Sequence, residues 1–245
     1  MILKDNTILI TGGTSGIGLA FAEEFYRLGN KVIICGRREE RLKKLSDKYP
    51  GMVTKICDVS KEKDRIELAD WTEKNYPDLN IFMNNAGVQY DFNLKEKINL
   101  DKLYDEINTN LVAPIHLANL FAAQFINRHN SAIINISSGL AFVPLAFMPV
   151  YCATKAAIHS FTLSLRQQLG STPVKVFEIA PPSVDTELGH DRRADNTQTH
   201  GGMPVDEFIK EAMDALHKNV LEAPIAHAKT LREKNEQLFS QMNNR

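Results

Sequence analysis

Short, almost uninterrupted apolar runs recur along the chain, each followed by a longer segment of helical period, and that alternation restricts the fold more than any other feature. The runs are 7–11 (TILIT), 31–35 (KVIIC), 53–57, 80–83, 132–137 and 174–180. They are rich in Ile and Val and lack the in–out pattern of a strand with one wet face, so they read as buried parallel strands. Between them, 17–28 sets Ile17, Ala20, Phe21, Phe25 and Leu28 on one stripe, with Glu23, Glu24 and Arg27 opposite. Segments 39–49, 61–75, 100–128 and 151–169 are further helices. Ser60 is the expected cap of the third, and Pro204 opens a late one over 204–218. A short strand near 220–225 and a charged amphipathic tail to about Met242 follow. Repeated strand–helix units imply right-handed crossovers, hence an α/β fold with a doubly wound parallel sheet and helices on both faces. No linker, repeat or low-complexity tract interrupts the 245 residues, so one domain over 1–245 is expected.

Composition removes other classes. At 43% apolar and 24% charged the chain is neither disordered nor collagen-like. A net charge of −1 suits no polyanion, so nucleic acid is an unexpected partner. The basic cluster Arg37, Arg38, Arg41, Lys43 and Lys44 is interrupted by Glu39 and Glu40, and suits one phosphate better than a duplex. Cys35, Cys57 and Cys152 show neither CxxC spacing nor His partners at metal-ligand intervals, so no metal site is expected and a reducing compartment is favoured. The first residues do not read as a signal peptide. The stretch 111–126 is broken by Pro114, His116, Asn119 and Gln124 and is too short to span a bilayer. The expectation is a cytoplasmic protein with no membrane partner.

Between the first strand and the first helix lies Thr11-Gly-Gly-Thr-Ser-Gly-Ile-Gly18. Gly12 permits a sharp turn, Gly16 a close backbone approach to a ligand, and Gly18 tight packing of the helix on the sheet. Free N–H groups at the start of the helix then favour a pyrophosphate. A ligand-free glycine turn is the bland alternative, but its position after the first strand favours nucleotide binding. No Gly-Lys-Ser/Thr follows, so it is not a P-loop. NAD sites usually carry an acidic residue at the end of the second strand, about 20 residues beyond the glycines. Here that place holds Gly36, Arg37 and Arg38, and guanidinium suits a 2′-phosphate, which favours NADP(H) over NAD(H). A solvated arginine pair is the competing reading.

Tyr151 and Lys155 stand one turn apart on an expected helix, about 40° from eclipsed, so both reach one surface. Alone, such a pair is usually an exposed neighbour pair. Upstream, however, Ser138 closes a strand-end motif, Asn135-Ile-Ser-Ser138, that opens on the same crevice as the glycine turn. Reducing a carbonyl by hydride needs a proton donor, and oxidising an alcohol needs the reverse. A phenol near pKa 10 is a poor base at neutral pH, but a neighbouring ammonium favours phenolate at about 1.4 kcal/mol per pKa unit. The Ser138 hydroxyl suits holding the substrate oxygen.

On these residues the chain resembles the short-chain dehydrogenase/reductase family, in its shorter single-domain, Rossmann-like branch. The matches are Thr11–Gly18, Asp58-Val59, Asn84-Asn-Ala-Gly87, Asn110-Leu-Val-Ala113, Ser138, Tyr151-Cys-Ala-Thr-Lys155 and Pro181–Thr186. Each is weak alone and together they are specific, covering nearly the whole chain and weakening after residue 186. The resemblance implies Tyr151 as acid/base, Lys155 lowering its pKa and binding the nicotinamide ribose, and Ser138 orienting substrate. It implies that Asn110 holds, through its backbone, a water linking Lys155 to solvent. The cofactor would be lined by Gly12, Thr14, Ser15, Gly16, Gly18, Arg37, Arg38, Asn85, Ala86 and Gly87, with Asp58 and Val59 at the adenine and Ile17 beneath the nicotinamide. Pro181 and Val184 would border the carboxamide, and Thr186 the pyrophosphate. The family commonly has Pro-Gly where this chain has Pro181-Pro182, which removes a backbone donor. That Pro-Pro-x-Val-Asp-Thr form is similar to a bacterial subgroup named after the D-alanine–lipoteichoic acid operon.

The expected activity is an NADP(H)-dependent oxidoreductase acting on a small carbonyl/alcohol pair. The rival from another class is a catalytically idle dinucleotide-binding sensor or scaffold. An enoyl reductase is a further rival, but that relative separates Tyr and Lys by more residues than here. Substrate would meet Val88, Gln89, 140–142, Phe147, Met148, Pro182, Ser183 and a polar loop over 187–203, read as a lid with Gly201 and Gly202 as hinge. Cys152, His116, His129, His159 and Trp71 read as packing or surface residues, the histidines lacking carboxylate partners. His190 and His200 fall in the loop. Helices 100–128 and 151–169 carry apolar residues on more than one face (Leu117, Leu120, Phe121; Ile158, Phe161, Leu165). Family members pair this region, which implies a homodimer or homotetramer.

Overall fold

The computed structural model describes residues 1–188 and 201–244. Its frame is a seven-stranded, fully parallel sheet in the order β3-β2-β1-β4-β5-β6-β7. The strands are β1 (Thr7–Thr11), β2 (Lys31–Gly36), β3 (Val53–Ile56), β4 (Leu79–Asn84), β5 (Ala132–Ile136), β6 (Lys175–Ala180) and β7 (Glu222–Pro224). The helices are α1 (Gly16–Arg27), α2 (Glu39–Lys48), α3 (Glu62–Asn75), α4 (Leu100–Ile107), α5 (Ala113–Phe125), α6 (Pro149–Gln168), α7 (Val205–His217), α8 (His227–Lys234) and α9 (Phe239–Asn243). The order reverses between β1 and β4, and the crevice of such a sheet opens outside the carboxyl ends of these two strands.

Alternate side chains of β1 serve two cores. Ile8 and Ile10 join Phe21 and Phe25 of α1 and Phe208 of α7 on one face. Leu9 joins Leu68 of α3 and Leu117, Phe121 and Phe125 of α5 on the other. Phe82 of β4 meets Phe121 at 4.3 Å between ring centroids. Burying both faces is why these strands are apolar throughout. β3 departs from that expectation: it pairs only with β2 and is half-exposed, with Ile56 open to solvent, because it is the sheet edge.

The expected continuous helix over 100–128 is interrupted. α4 passes into a π-helical turn over Asn108–Val112 before α5 begins. Pro114 carries no N–H, so the carbonyl of Asn110, four residues earlier, has no α-helical donor. π turns of this kind concentrate at functional positions. Two helix starts also differ. Ser60 does not cap α3; its hydroxyl donates to Asp58 Oδ1 at 2.8 Å, and the helix begins without a side-chain cap. α6 begins at Pro149, whose fixed φ suits the first helical turn, rather than at Tyr151.

The six apolar residues expected to leave a spare helix face are used by the chain's own core. Leu117, Phe121 and Leu165 are buried in the core around Leu9, with Leu120 and Phe161 packed against it, and Ile158 is buried as well. The exposed large apolar residues on segments 100–128 and 151–169 are instead Leu100, Tyr104, Val112, Ile115, Ile126 and Leu163. Most of the expected lid, including His190 and His200, lies outside the described residues. Its last residue, Met203, returns to the segment that precedes it: Val184 bridges Met203, with Met203 N–H donating to the Ser183 carbonyl at 2.8 Å. Among the described residues no helix is long and apolar enough to cross a membrane.

Candidate active site

The glycine turn is locked to the end of β4. Thr11 Oγ1 accepts from the N–H groups of Asn85 and Ala86 at 3.0 and 3.1 Å, and Asn85 Nδ2 donates to the Thr11 carbonyl at 2.9 Å. Gly12 has φ +67°, which L side chains rarely adopt. A Cβ on Gly18 would run into the Gly12 carbonyl oxygen and Asn85 Nδ2. The turn is therefore a backbone cradle at a helix start, the form that admits a pyrophosphate.

A cavity of about 650 Å³ runs along the carboxyl ends of the strands. Gly12, Thr14, Ser15, Gly16, Ile17 and Gly18 line it, with Arg37 and Arg38, Asp58 and Val59, and Asn85, Ala86 and Gly87. Ser138, Tyr151, Lys155, Pro181, Val184 and Thr186 complete the wall. Of the expected catalytic and cofactor-binding residues, Asn110 alone does not line it. Its side chain clamps Val88, accepting from Val88 N–H at 2.9 Å and donating to the Val88 carbonyl at 2.8 Å. Val88, Gln89, Leu140, Met148, Pro182 and Ser183 border the cavity as expected, whereas Ala141, Phe142 and Phe147 do not. His227, Leu231 and Met242 border it from the C-terminal helices. No spacing in the sequence announces that return.

At the arginine end the two guanidiniums differ. Arg38 Nη2 donates to the hydroxyls of Thr14 at 2.9 Å and Ser15 at 2.7 Å, tying the end of β2 to the glycine turn. Arg37 is half-exposed and faces Asp105 at 3.7 Å. Arg38 and Arg41 both meet Glu187. Arg41 belongs to the basic cluster suited to one phosphate and Glu187 opens the expected lid, but neither is among the expected cofactor-binding residues and their pairing is not expected from the sequence. Arg41 lies one helical turn after Arg38 and shares its face.

At the other end Ser138, Tyr151 and Lys155 are 7%, 6% and 5% exposed, so their polar atoms act in a nearly dry wall. Ser138 Oγ accepts from Leu140 N–H at 3.1 Å, which fixes the hydroxyl at the end of β5. Lys155 Nζ donates to the Ile136 carbonyl at 3.0 Å and lies 5.6 Å from the Tyr151 ring centroid. Burial pulls the Lys155 pKa down to about 8, against an opposing pull from the Glu106 carboxylate. At neutral pH Lys155 is still cationic. Glu106, fully buried, also accepts from Tyr90 N–H at 3.0 Å, a positioning role that nothing in its surroundings in sequence suggests.

The histidines require one correction. His159 does have a carboxylate partner: its Nδ1 lies 2.9 Å from Glu178, a fully buried residue of β6, next to Glu222. The pairing is long-range, one strand against one helix, and so invisible in local spacing. Arg232 Nε donates to Glu222 at 2.6 Å, so the two carboxylates already face an arginine and a histidine. The hydrogen bond to Glu178 raises the His159 pKa, with burial opposing and the charges of Glu178 and Glu222 assisting against Arg232. A raised base pKa stabilises the fold fully below the unfolded value of about 6.5 and loses that contribution as pH rises through the folded pKa. His159→Gln should therefore cost about 1.5–3 kcal/mol at pH 6 and clearly less at pH 9, as read by denaturant melts. His116 instead accepts from Arg65 Nε at 3.0 Å, and Cys152 is buried beside Leu145, both packing roles. Trp71 packs on Tyr76 at 5.1 Å between centroids.

This chain is similar to known proteins in both sequence and structure. A family model described as short chain dehydrogenase matches residues 6–197. An uncharacterized oxidoreductase, DltE, of Bacillus subtilis (strain 168) is 44% identical over 250 residues, covering 99% of this chain and 98% of that protein. The NADP-dependent 3-hydroxy acid dehydrogenase YdfG of Salmonella typhi is 32% identical over 214 residues, covering 84% of this chain and 86% of its own. Among solved structures, a short-chain dehydrogenase from Sphingobium yanoikuyae in complex with NADPH superposes with a TM-score of 0.81 at 26% identity, covering 93% of this chain and 92% of that one.

Proposed function

Because the chain belongs to the short-chain dehydrogenase family and is an NAD(P)-dependent oxidoreductase, we propose that its crevice interconverts a carbonyl and a secondary alcohol with NADP(H), Tyr151 serving as acid and base. The observation that carries this reading is the convergence of Ser138, Tyr151 and Lys155 on one wall of the cavity whose far end is the glycine cradle and an arginine pair.

When bound, the nicotinamide supplies or accepts the hydride. The chain does the rest. Ser138 holds the substrate oxygen beside the phenol, and Tyr151 gives its proton to that oxygen in reduction or takes it in oxidation. The buried Lys155 ammonium favours the phenolate form of Tyr151. The Asn110 carbonyl, released from the α-helical ladder by Pro114, is suited to hold a water on the path that returns the proton to Lys155. The near-dry wall strengthens each of these interactions. The apolar borders Leu140, Met148, Leu231 and Met242 favour a substrate with a largely apolar body.

Arg38, already bonded to the glycine turn, and Arg37 support a 2′-phosphate site. One charge-assisted contact to phosphate contributes about 1.5–3 kcal/mol. Fluorescence titration should therefore give NADPH about a tenfold or greater advantage over NADH. Arg37→Asp should erode that ratio, and Arg38→Ala should erode it further. A wild-type protein that binds NADH at least as tightly as NADPH would remove the assignment.

The exposed Leu100, Tyr104, Val112, Ile115 and Leu163 along α4 to α6 support a homodimer, or a dimer of dimers, through these helices. Light scattering at micromolar concentration should give at least the dimer mass, and a monomer mass would refute it. Three free, buried cysteines accord with a reducing, cytoplasmic setting.

A further inference from the structure

Arg38 and Arg41 aim at a single acceptor, and the chain itself provides it. Glu187 receives Arg38 Nη1 at 3.1 Å and Arg41 Nη1 at 2.8 and 2.6 Å, one contact to each carboxylate oxygen. Glu187 follows Thr186, which covers Gly16 of the cradle, so this carboxylate reaches over the crevice from the β6 side to the β2 side. Partial burial alone would raise its pKa. The hydrogen bonds from Arg41 and Arg38, with their charges, override that and hold it below the ordinary carboxylate value. It is an anion at any physiological pH.

Resting on the NADP(H) reading above, we propose that Glu187 is a resident stand-in for the adenosine 2′-phosphate: it occupies the Arg38–Arg41 fork in the free protein and must leave for NADP(H) to be held there. A phosphate arriving at this pair of guanidiniums competes with Glu187 for the same N–H donors and is repelled by its charge. Arg38 keeps its second nitrogen on Thr14 and Ser15, so the fork stays aimed while its occupant is exchanged. A cofactor without the 2′-phosphate makes no such demand, and Glu187 can stay in place beside it. Glu187 thus lowers the NADPH-over-NADH ratio that the arginines alone would give, and Arg41 is a specificity-determining cation in addition to Arg37 and Arg38. Glu187, Arg38 and Arg41 are all exposed enough for solvent to screen the pair, which keeps the exchange small and reversible.

The test is titration of the full-length protein with NADPH and with NADH, for wild type, Glu187→Gln, Arg41→Ala and the double variant. Glu187→Gln should tighten NADPH about three- to fivefold and leave NADH within about twofold. In the Arg41→Ala background the same substitution should gain clearly less. Thermal melts monitor folding, and the exposed position of Glu187 makes the Gln variant safe. If Glu187→Gln leaves the ratio unchanged, tightens both cofactors equally, or weakens NADPH, the stand-in is overturned. The underlying reading fails separately: it rests on the wild-type ratio, whereas the stand-in rests on the change in that ratio.

Discussion

Tyr151→Phe is expected to lower turnover by a factor on the order of 10²–10⁴, the usual contribution of a positioned acid–base group, while NADP(H) affinity stays within a few-fold. The substitution removes a single oxygen. The ring remains packed with Met148 and Cys152, beside Leu140 and Leu145, so the wall keeps its shape. Ser138 still orients the substrate oxygen, but nothing on the wall then delivers the proton. Steady-state rates and cofactor titration together check it. Substantial turnover by the Phe variant would remove the tyrosine from the mechanism.

Lys155→Met is the second large expectation, and it should damage two properties at once. Met retains most of the apolar stem, so the effect reports the ammonium rather than a cavity. On the proposed mechanism that charge favours phenolate, and each pKa unit it contributes is about 1.4 kcal/mol, or tenfold in the phenolate fraction. Turnover in the oxidative direction should fall by a factor on the order of 10², with its pH profile displaced to higher pH. Cofactor affinity should fall as well, since Lys155 is expected to bind the nicotinamide ribose. In the wild-type protein the charge itself is lost as pH rises through about 8, because burial depresses it. Cofactor affinity should therefore decline across that range, and the Met variant should lose this pH dependence. A Met variant with an unshifted pH profile would place the control of Tyr151 elsewhere.

The sheet was legible because both of its faces are covered. Ile8, Leu9 and Ile10 are each fully buried, and only a doubly covered strand can afford three apolar residues in a row. The glycine turn and the Tyr151–Lys155 pair were legible for a related reason: both are local, and their spacing maps directly onto one turn and one helix face. What could not be read is what depends on contacts far apart in the chain. His159 meets Glu178 across an element boundary, and His227, Leu231 and Met242 return to the mouth of the cavity from the C-terminal helices. Glu187 reaches Arg41 across the crevice, 146 positions away. The break at Asn108–Val112 stands between these cases. Pro114 was in view, but the 100–128 periodicity continues across it, and only the structure shows the turn widening there.

Hydride transfer to a carbonyl is proposed at the Ser138–Tyr151–Lys155 wall. Its most direct test supplies purified protein with NADPH carrying deuterium at the nicotinamide C4 and a panel of ketones and aldehydes with apolar bodies. Products are analysed by mass spectrometry and NMR. At least one substrate should be reduced, with deuterium on the carbinol carbon, and the Tyr151→Phe protein should bind the labelled cofactor but transfer almost none. Tight cofactor binding with no transfer by the wild-type protein to any member of the panel would contradict it, and would favour a protein that senses the dinucleotide without turning it over.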